Sequence, residues 1–292
     1  MDSQDRDVMG VTGSGQPSTL TRFEAETSVI EVEPGLYSAF LHKSWWIVAG
    51  PNGGYIAAIV LRAMVAMVAE PDRRPRSLSI QYLRPPTEGE IRIEVTVERA
   101  GRSVSNLSAR MTQDGRTVVL AMASFANDRE GIVSFDETDG FADIFGTGRV
   151  PSPDEVKPGE VDPTRDVPMR GHYDIRWVVG DLPFTVGSGQ EGSARCGGWL
   201  RPVEPVAIDE VVLAAMSDAW LPPIFSRVDI PLAIPTIDLT IHFRTPPKDP
   251  FGFCFVLFES PVAAHGYTVE HGRILDSDGT LLVECRQLAV LA

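Results

Sequence analysis

The stretch PNGGYIAAIVLRAMVAMV at residues 51–68 decides the fold of this chain. From Tyr55 to Val68 it is apolar on nearly every side, with Arg62 as the one charged residue. A helix on a protein surface shows only an apolar stripe, so this segment predicts a helix that other elements wrap on most sides. It is shorter than the roughly 20 residues that a bilayer span requires. We therefore expect a buried central helix and no membrane span.

Segments with strand character follow this helix and can supply the wrapping. In residues 91–98, four apolar residues alternate with Arg, Glu and Thr, which is the pattern of a half-buried strand. Asp114-Gly115 has the composition of a tight hairpin turn. The sequence predicts four strands here: Ser77–Arg84, Ile91–Glu98, Ser105–Thr112 and Thr117–Ala126.

The second half of the chain repeats this pattern. Tyr82-Leu83-Arg84-Pro85-Pro86 is matched by His242-Phe243-Arg244-Thr245-Pro246-Pro247, and the turn at Asp114-Gly115 is matched by Asp278-Gly279. Such self-similarity indicates an internal duplication. The second copy is predicted as strands His172–Val179 and Ala194–Arg201, a helix from Ile208 to Trp220, and strands Thr236–Arg244, Phe251–Glu259, Gly266–Leu275 and Thr280–Leu291.

The predicted architecture is α+β: a double hotdog, with two repeats that each wrap a curved antiparallel sheet around a central helix. The Pro-, Gly- and acid-rich residues 127–170 form a predicted linker or insertion. We therefore expect a disordered tail over 1–22, a first repeat over 23–126 and a second repeat over 171–292. A fused pair supplies its own dimer contact, but its sheet edges and outer faces leave a homo-oligomer open.

Composition limits the classes of partner. The formal net charge of −14 argues against non-specific binding to nucleic acid or to an anionic membrane, since both depend on excess basic charge. The three cysteines, Cys196, Cys254 and Cys285, are far apart, and the histidines show no metal-ligand spacing. The sequence thus favours a cytoplasmic protein and predicts no metal site.

Three polar residues of the second repeat are candidates for chemistry. Asp218 ends an otherwise apolar predicted helix, where a buried carboxylate would need partners or a shifted pKa. Thr236 begins a strand, and Gln287 lies in the largely apolar last strand. Taken singly, each also has a structural interpretation: a solvated helix end, an ordinary strand residue and a glutamine satisfied by backbone groups.

The segments Pro51-Asn52-Gly53-Gly54-Tyr55, Gln81-Tyr82-Leu83-Arg84-Pro85, Ser217-Asp218, Thr236-Ile237-Asp238 and the final Gln287 resemble the bacterial acyl-CoA thioesterase II family, from about Phe23 to the C-terminus. The resemblance implies that Asp218, Thr236 and Gln287 hold and activate a water that attacks a small-molecule acyl-CoA. Coenzyme A is then part of the substrate, and no separate cofactor is implied. Fatty acid metabolism is the expected setting.

The resemblance also implies that only one repeat is active. In the first repeat, the corresponding positions lie near Ala66, Arg76 and Ser124, so the triad is lost there. For substrate binding we expect the start of the first central helix, at Gly53 and Gly54, to offer backbone N–H groups. We expect Arg84 and Arg244, near strand ends, to meet the phosphates of coenzyme A.

Two other functions stay open at this stage. A hotdog-type enoyl-CoA hydratase or dehydratase would pair a loop histidine with an acid on the central helix. His42 does precede that helix, but the helix has no Asp or Glu before Glu70. A non-catalytic acyl-CoA-binding protein is the second alternative, because a scaffold does not guarantee chemistry.

Overall fold

A computed structural model describes residues 20–138, 140–160, 167–182, 192–228, 230 and 232–292 of the chain. Within these residues, twelve strands form one antiparallel sheet. The strands are β1 (Ile30–Glu33), β2 (Leu36–Leu41), β3 (Arg74–Tyr82), β4 (Gly89–Ala100), β5 (Val104–Gln113), β6 (Arg116–Ala126), β7 (Tyr173–Val179), β8 (Arg195–Pro202), β9 (Thr236–Phe243), β10 (Cys254–Ala264), β11 (Tyr267–Leu275) and β12 (Leu281–Val290). The α-helices are α1 (Arg22–Glu26), α2 (Gly53–Val68), α3 (Ala142–Phe145) and α4 (Glu210–Met216), and short 3-10 helices span Lys43–Trp45, Pro153–Glu155, Pro168–His172 and Pro223–Ser226.

The strand order shows the duplication directly. It runs β1-β2-β4-β5-β6-β3-β9-β12-β11-β10-β8-β7, so each half contributes six strands in the same arrangement, and the halves meet at β3 and β9. These two strands are antiparallel, and their pairing has Ser79 opposite Thr240 near its middle, with the two hydroxyl oxygens 3.3 Å apart. An approximate two-fold axis therefore passes through this pair and relates the two repeats.

The two central helices pack against each other inside the sheet. Helix α2 starts at Asn52, whose side-chain oxygen accepts a hydrogen bond from the Tyr55 N–H at 2.9 Å, and ten of its residues are buried. Helix α4 starts at Asp209, whose Oδ1 accepts from the N–H groups of Val211 and Val212 at 2.9 Å each. In both cases a polar side chain satisfies helix N–H groups that have no partner within the helix.

The second central helix is shorter than the sequence predicted. We expected a helix from Ile208 to Trp220, but α4 ends at Met216. The hydroxyl of Ser217 donates to the Leu213 carbonyl at 2.9 Å, and the carbonyl of Asp218 accepts from the Asn52 amide at 2.7 Å. Because Asn52 of the first repeat supplies this hydrogen bond, the helix can end here without leaving the Asp218 carbonyl unpaired.

Other boundaries also differ. The predicted strand Phe251–Glu259 begins later, at Cys254, because the Asp249 side chain accepts from the Phe251 N–H at 3.0 Å and holds a turn there. The predicted linker contains α3, whose flanking Phe141 packs edge-on against Trp199 at 6.0 Å. Residues 1–19 of the predicted tail lie outside the described residues, and Arg22 belongs to α1.

None of the helices in the described part of the chain combines the length and apolar character needed to cross a bilayer.

Candidate active site

The three residues singled out by the sequence meet at one place. Thr236 is the first residue of β9, Gln287 lies on the adjacent β12, and Asp218 follows the end of α4. The Thr236 hydroxyl donates to Gln287 Oε1 at 3.0 Å, and Gln287 Nε2 donates to Asp218 Oδ1 at 3.1 Å. The structure thus joins the predicted triad into a continuous hydrogen-bonded chain.

The second oxygen of Asp218 belongs to the first repeat. Oδ2 accepts from Asn52 Nδ2 at 2.9 Å and from the Gly54 N–H at 3.1 Å, both at the start of α2. The N-terminus of a helix carries partial positive charge and is a natural place for a carboxylate. Because α2 comes from the first repeat and Asp218 from the second, the site is built across the contact between the repeats.

Glycine is required where these elements touch. A Cβ added to Gly54 would lie 2.3 Å from the Ala215 carbonyl oxygen of α4. A Cβ on Gly53 would lie 2.9 Å from Asp218 Oδ2. The predicted role of these two glycines was to offer backbone N–H groups, and the structure shows the Gly54 N–H directed at Asp218 itself.

The environment of Asp218 favours proton uptake. Burial raises the pKa of its carboxyl above the ordinary aspartate value. Hydrogen bonds from Gln287, Gly54, Gly53 and Asn52 act in the opposite direction but do not cancel the effect of burial. Asp218 is therefore a stronger base than a solvated aspartate, as a group that accepts a proton from water must be.

A second acid, which sequence reasoning missed, lies on the same glutamine. Glu270 is directly opposite Gln287 in the β11–β12 pair, and its Oε1 accepts from Gln287 Nε2 at 3.1 Å. Burial first, and then the negative charge of Asp218, raise the pKa of Glu270 well above the ordinary value. The alternation along β11 contained the signal, since Glu270 is in phase with the buried Gly272 and Ile274.

Two tyrosines complete the wall of the site. The hydroxyl of Tyr82 donates to the Gly53 carbonyl at 2.8 Å. The Tyr173 side chain is 3% exposed, and its hydroxyl has no hydrogen-bond partner among the described residues. Burial and the nearby Asp218 charge raise the pKa of both phenols, so both stay neutral donors. A buried hydroxyl without a partner is available to a ligand.

The two arginines expected at the coenzyme A phosphates, Arg84 and Arg244, lie at opposite ends of the sheet because β3 and β9 are antiparallel. Gln81 is opposite Asp238, so Arg84, just beyond the end of β3, lies at the same end of the sheet as Thr236. Arg244 follows the other end of β9, eight positions from Thr236, which is roughly 26 Å of extended chain. It pairs with Glu284 at 2.6 Å. The structure does not bring Arg244 to this site.

The corresponding place in the first repeat has no triad. The two-fold relation through Ser79 and Thr240 puts Pro75 at the position of Thr236, and the strand pairings then put Ala123 at the position of Gln287. Arg76 and Ser124, the sequence-based choices, are the next residues along the chain. Neither Pro75 nor Ala123 has a side chain that can form a hydrogen bond.

The first repeat also lacks an aspartate at the position equivalent to Asp218. The sequence pointed to Ala66, but Ala66 is exposed on α2 and does not face the core. Instead, Arg62 of α2 interacts electrostatically with Asp209, which caps α4, much as Asp218 meets the cap of α2. Close by, Arg74 Nε donates to Glu210 at 2.6 Å. Charged residues, including the ion pair between Arg74 and Glu210, therefore occupy this second place.

The histidine of the dehydratase alternative is directed elsewhere. His42 Nδ1 lies 4.0 Å from Glu26 Oε1, and its ring packs against Phe40 at 4.9 Å. Its backbone N–H donates to the Tyr55 hydroxyl at 3.2 Å. These contacts of His42 are all with residues of the first repeat.

A cavity of about 480 Å³ lies near the end of α4, although none of the residues of the site described above lines it. Trp220, two residues along the chain from Asp218, lines this cavity. Its ring lies 5.1 Å from the ring of Trp177, which also lines the cavity, and the two ring planes make an angle of 31°. Apolar groups dominate its wall, as in most small-molecule pockets. Its lining comprises Val156, Lys157, Pro158, Gly159, Arg170, Ile175, Trp177, Leu182, Trp220 and Leu221.

Known proteins of the same shape cover nearly the whole chain. A hot dog fold protein of Alicyclobacillus acidocaldarius superposes with a TM-score of 0.80 at 24% identity, over 94% of this chain and 99% of that one. The acyl-CoA thioesterase II TesB2 of Mycobacterium marinum gives 0.70 at 21% identity, over 92% and 98%. The chain therefore has the predicted double hotdog α+β fold.

Sequence comparison gives the family. Uncharacterized proteins of Mycobacterium tuberculosis and Mycobacterium bovis are 26% identical over 281 residues, which cover 90% of this chain and 94% of theirs. The model of the acyl-CoA thioesterase N-terminal domain matches residues 42–126, and that of the acyl-CoA thioesterase C-terminal domain matches residues 153–291. With both domains present in order, the chain belongs to the acyl-CoA thioesterase family.

Proposed function

We propose that this protein hydrolyses an acyl-CoA to the free acid and coenzyme A, with water as the nucleophile and Asp218 as the base. The observation that carries the proposal is the hydrogen-bonded chain from Thr236 through Gln287 to Asp218, anchored at the N-terminus of α2. A mostly apolar cavity, of the kind that small molecules usually occupy, includes Trp220 in its wall, two residues along the chain from Asp218.

The number of hydrogen bonds that Gln287 can form determines how it contacts the attacking water. Both hydrogens of its amide are committed, one to Asp218 and one to Glu270, so the amide cannot donate to the attacking water. Its oxygen accepts from Thr236 and has a second lone pair free to accept from that water. The water then gives one hydrogen bond to Gln287 and the other to Asp218, which fixes its orientation before attack.

The proposed reaction balances with water as the only other reactant. Asp218 takes one proton from the water as its oxygen bonds to the thioester carbon. The tetrahedral intermediate collapses, the C–S bond breaks, and its electron pair leaves with sulfur. Asp218 returns the proton to the thiolate, which gives the coenzyme A thiol, while the carboxylic acid product ionises in solvent. No metal or further cofactor is needed.

Two features of the site fit the substrate. The unpartnered hydroxyl of Tyr173 can donate to the carbonyl oxygen as negative charge develops on it. The cavity beyond Trp220 can take the acyl group, and the exposed Lys157 on its wall supplies positive charge to a protein of net charge −14. Arg170 is a further cation on the cavity wall, and Arg84 lies at the same end of the sheet as Thr236.

The test is thiol release from a panel of acyl-CoAs of increasing chain length. We expect wild type to release thiol, and Asp218→Asn to lose about 10²- to 10⁴-fold in kcat, the usual contribution of a general base. Asp218→Asn should still bind acyl-CoA in calorimetry. The matched control is Asp72→Asn, which changes an exposed aspartate in the turn after α2.

Two results count against the proposal. If wild type binds acyl-CoA but releases no thiol from any of the panel, the protein is an acyl-CoA-binding module and not a hydrolase. If Asp218→Asn and wild type have equal kcat, Asp218 is not the base.

A further inference from the structure

The amide of Gln287 joins two carboxyl groups, and the proposed mechanism uses only one of them. Its Nε2 is 3.1 Å from Asp218 Oδ1 and 3.1 Å from Glu270 Oε1. Glu270 faces Gln287 directly across the β11–β12 pair, so the strand register itself holds the second acid in place. The three side chains form one unit.

Within the described residues, no positive charge compensates this pair. No lysine or arginine in the described part of the chain pairs with Asp218 or Glu270. The other titratable groups that face Glu270 are the thiols of Cys196 on β8 and Cys285 on β12, and burial raises the pKa of both, so both are neutral. Two partly buried carboxylates that share one amide and have no cation partner among the described residues cannot both ionise cheaply, as in other sites where two carboxyl groups share one proton.

The hydrogen bonds decide which member keeps the proton. Asp218 accepts from several donors, among them Gln287 Nε2, Asn52 Nδ2 and the Gly54 N–H, and it lies at the start of α2. Among the described residues, Glu270 accepts only from Gln287. Hydrogen bonds to the charged form and the positive end of a helix both stabilise a carboxylate. The negative charge is therefore better placed on Asp218 than on Glu270.

We propose that Asp218 and Glu270 form a bridged carboxyl pair that retains a single proton on Glu270, which makes Glu270 a positioning residue that keeps Asp218 the charged, proton-accepting member. This inference rests on the proposed function for its kinetic consequence. As a neutral acid, Glu270 anchors the Gln287 amide without adding a second negative charge beside a carbonyl that itself becomes negative in the transition state.

The consequence is a second limb in the pH dependence. The kcat/KM of wild type rises with pH as Asp218 ionises, and it falls again at higher pH as Glu270 loses its proton. Glu270→Gln cannot ionise, nearly preserves the size of the side chain, and removes only this second event. We expect Glu270→Gln to retain kcat/KM within about tenfold of wild type near neutral pH and to lose the alkaline fall.

The control is His271→Gln, which removes a titratable group from the neighbouring exposed position of β11 and should keep both limbs. An alkaline fall that persists in Glu270→Gln overturns the inference. So does a loss of more than about tenfold in Glu270→Gln at every pH, because Glu270 would then transfer a proton itself.

A second measurement does not depend on turnover. The infrared difference spectrum of wild type minus Glu270→Gln, recorded without substrate across the pH range, should show the carbonyl band of one protonated carboxyl near neutral pH. The band should disappear at the pH of the alkaline fall. Absence of the band overturns the proton assignment even if wild type proves inactive, so failure of the carboxyl pair and failure of the hydrolase proposal are distinguishable.

Discussion

Gly54→Ala tests whether the contact between the two central helices sets the position of the base. The added Cβ would lie 2.3 Å from the Ala215 carbonyl oxygen, whereas carbon and oxygen normally approach to about 3.3 Å. The start of α2 must therefore move by roughly 1 Å relative to α4. The Gly54 N–H remains, but its 3.1 Å hydrogen bond to Asp218 Oδ2 cannot keep its geometry after such a shift.

The expected effects separate stability from rate. Overpacking typically costs about 1–3 kcal/mol, and the better helix propensity of alanine returns at most about 1 kcal/mol. We therefore expect the free energy of unfolding in urea to fall by about 1–2 kcal/mol. A misplacement of about 1 Å can cost about 10²-fold in rate, so kcat/KM for thiol release should fall by about that factor.

The matched control is Gly171→Ala, since a Cβ at Gly171 would meet no atom within 4 Å. It should leave both quantities unchanged. A folded Gly54→Ala protein with wild-type kcat/KM would refute the reasoning, because it would show that Asp218 does not depend on this helix contact. Loss of stability without loss of rate would lead to the same conclusion.

Further predictions concern the groups around Asp218. Because burial raises the pKa of Asp218, kcat/KM should increase with pH through a midpoint above the ordinary aspartate pKa of about 3.9, and a profile that is flat down to about pH 4 would contradict this. Folding disfavours the ionised form, so stability is lost as pH rises through the folded-state pKa. Asp218→Asn avoids that loss and should be more stable than wild type near pH 8 by about 0.5–2 kcal/mol in urea unfolding, and equal or lower stability would argue against the burial effect. Tyr173→Phe removes a hydroxyl that has no partner among the described residues, so the stability of the variant should equal or exceed that of wild type. Its kcat/KM should drop about tenfold or more, and unchanged kinetics would exclude the hydroxyl as a donor to the substrate carbonyl. Asn52→Asp keeps a helix cap but faces Asp218 with a like charge, so the acid limb should move to higher pH, and an unmoved limb would show that Asn52 has no influence on the base.

The fold could be predicted from the sequence because its signals are local. Residues 55–68 are apolar on nearly every side, and the matched turns at Asp114-Gly115 and Asp278-Gly279 mark the same hairpin in each repeat. The second helix was placed less well. Its end at Met216 depends on Asn52, a residue of the other repeat, and no local pattern contains that information.

Only part of the site could be predicted from the sequence, because local patterns do not show which residues meet in the fold. Asp218, Thr236 and Gln287 could be named as polar residues in apolar surroundings, and the structure brings them together. Glu270 was visible from its phase with Ile274, but a single acid in a strand has no evident meaning until Gln287 is placed opposite it. The repeat pattern gives no information on the direction in which the two copies join, so it could not show that Arg84 and Arg244 lie at opposite ends of the sheet.

The chain places its base on one repeat and the helix that supports the base on the other. In a symmetric dimer of identical subunits, every substitution would appear at both such junctions at once. Covalent joining makes the two junctions separate targets for mutation. Arg62 can therefore place its positive charge near Asp209 at one junction while Asp218 keeps its donors at the other. Evolution could tune one junction for rigidity and the other for turnover within a single chain.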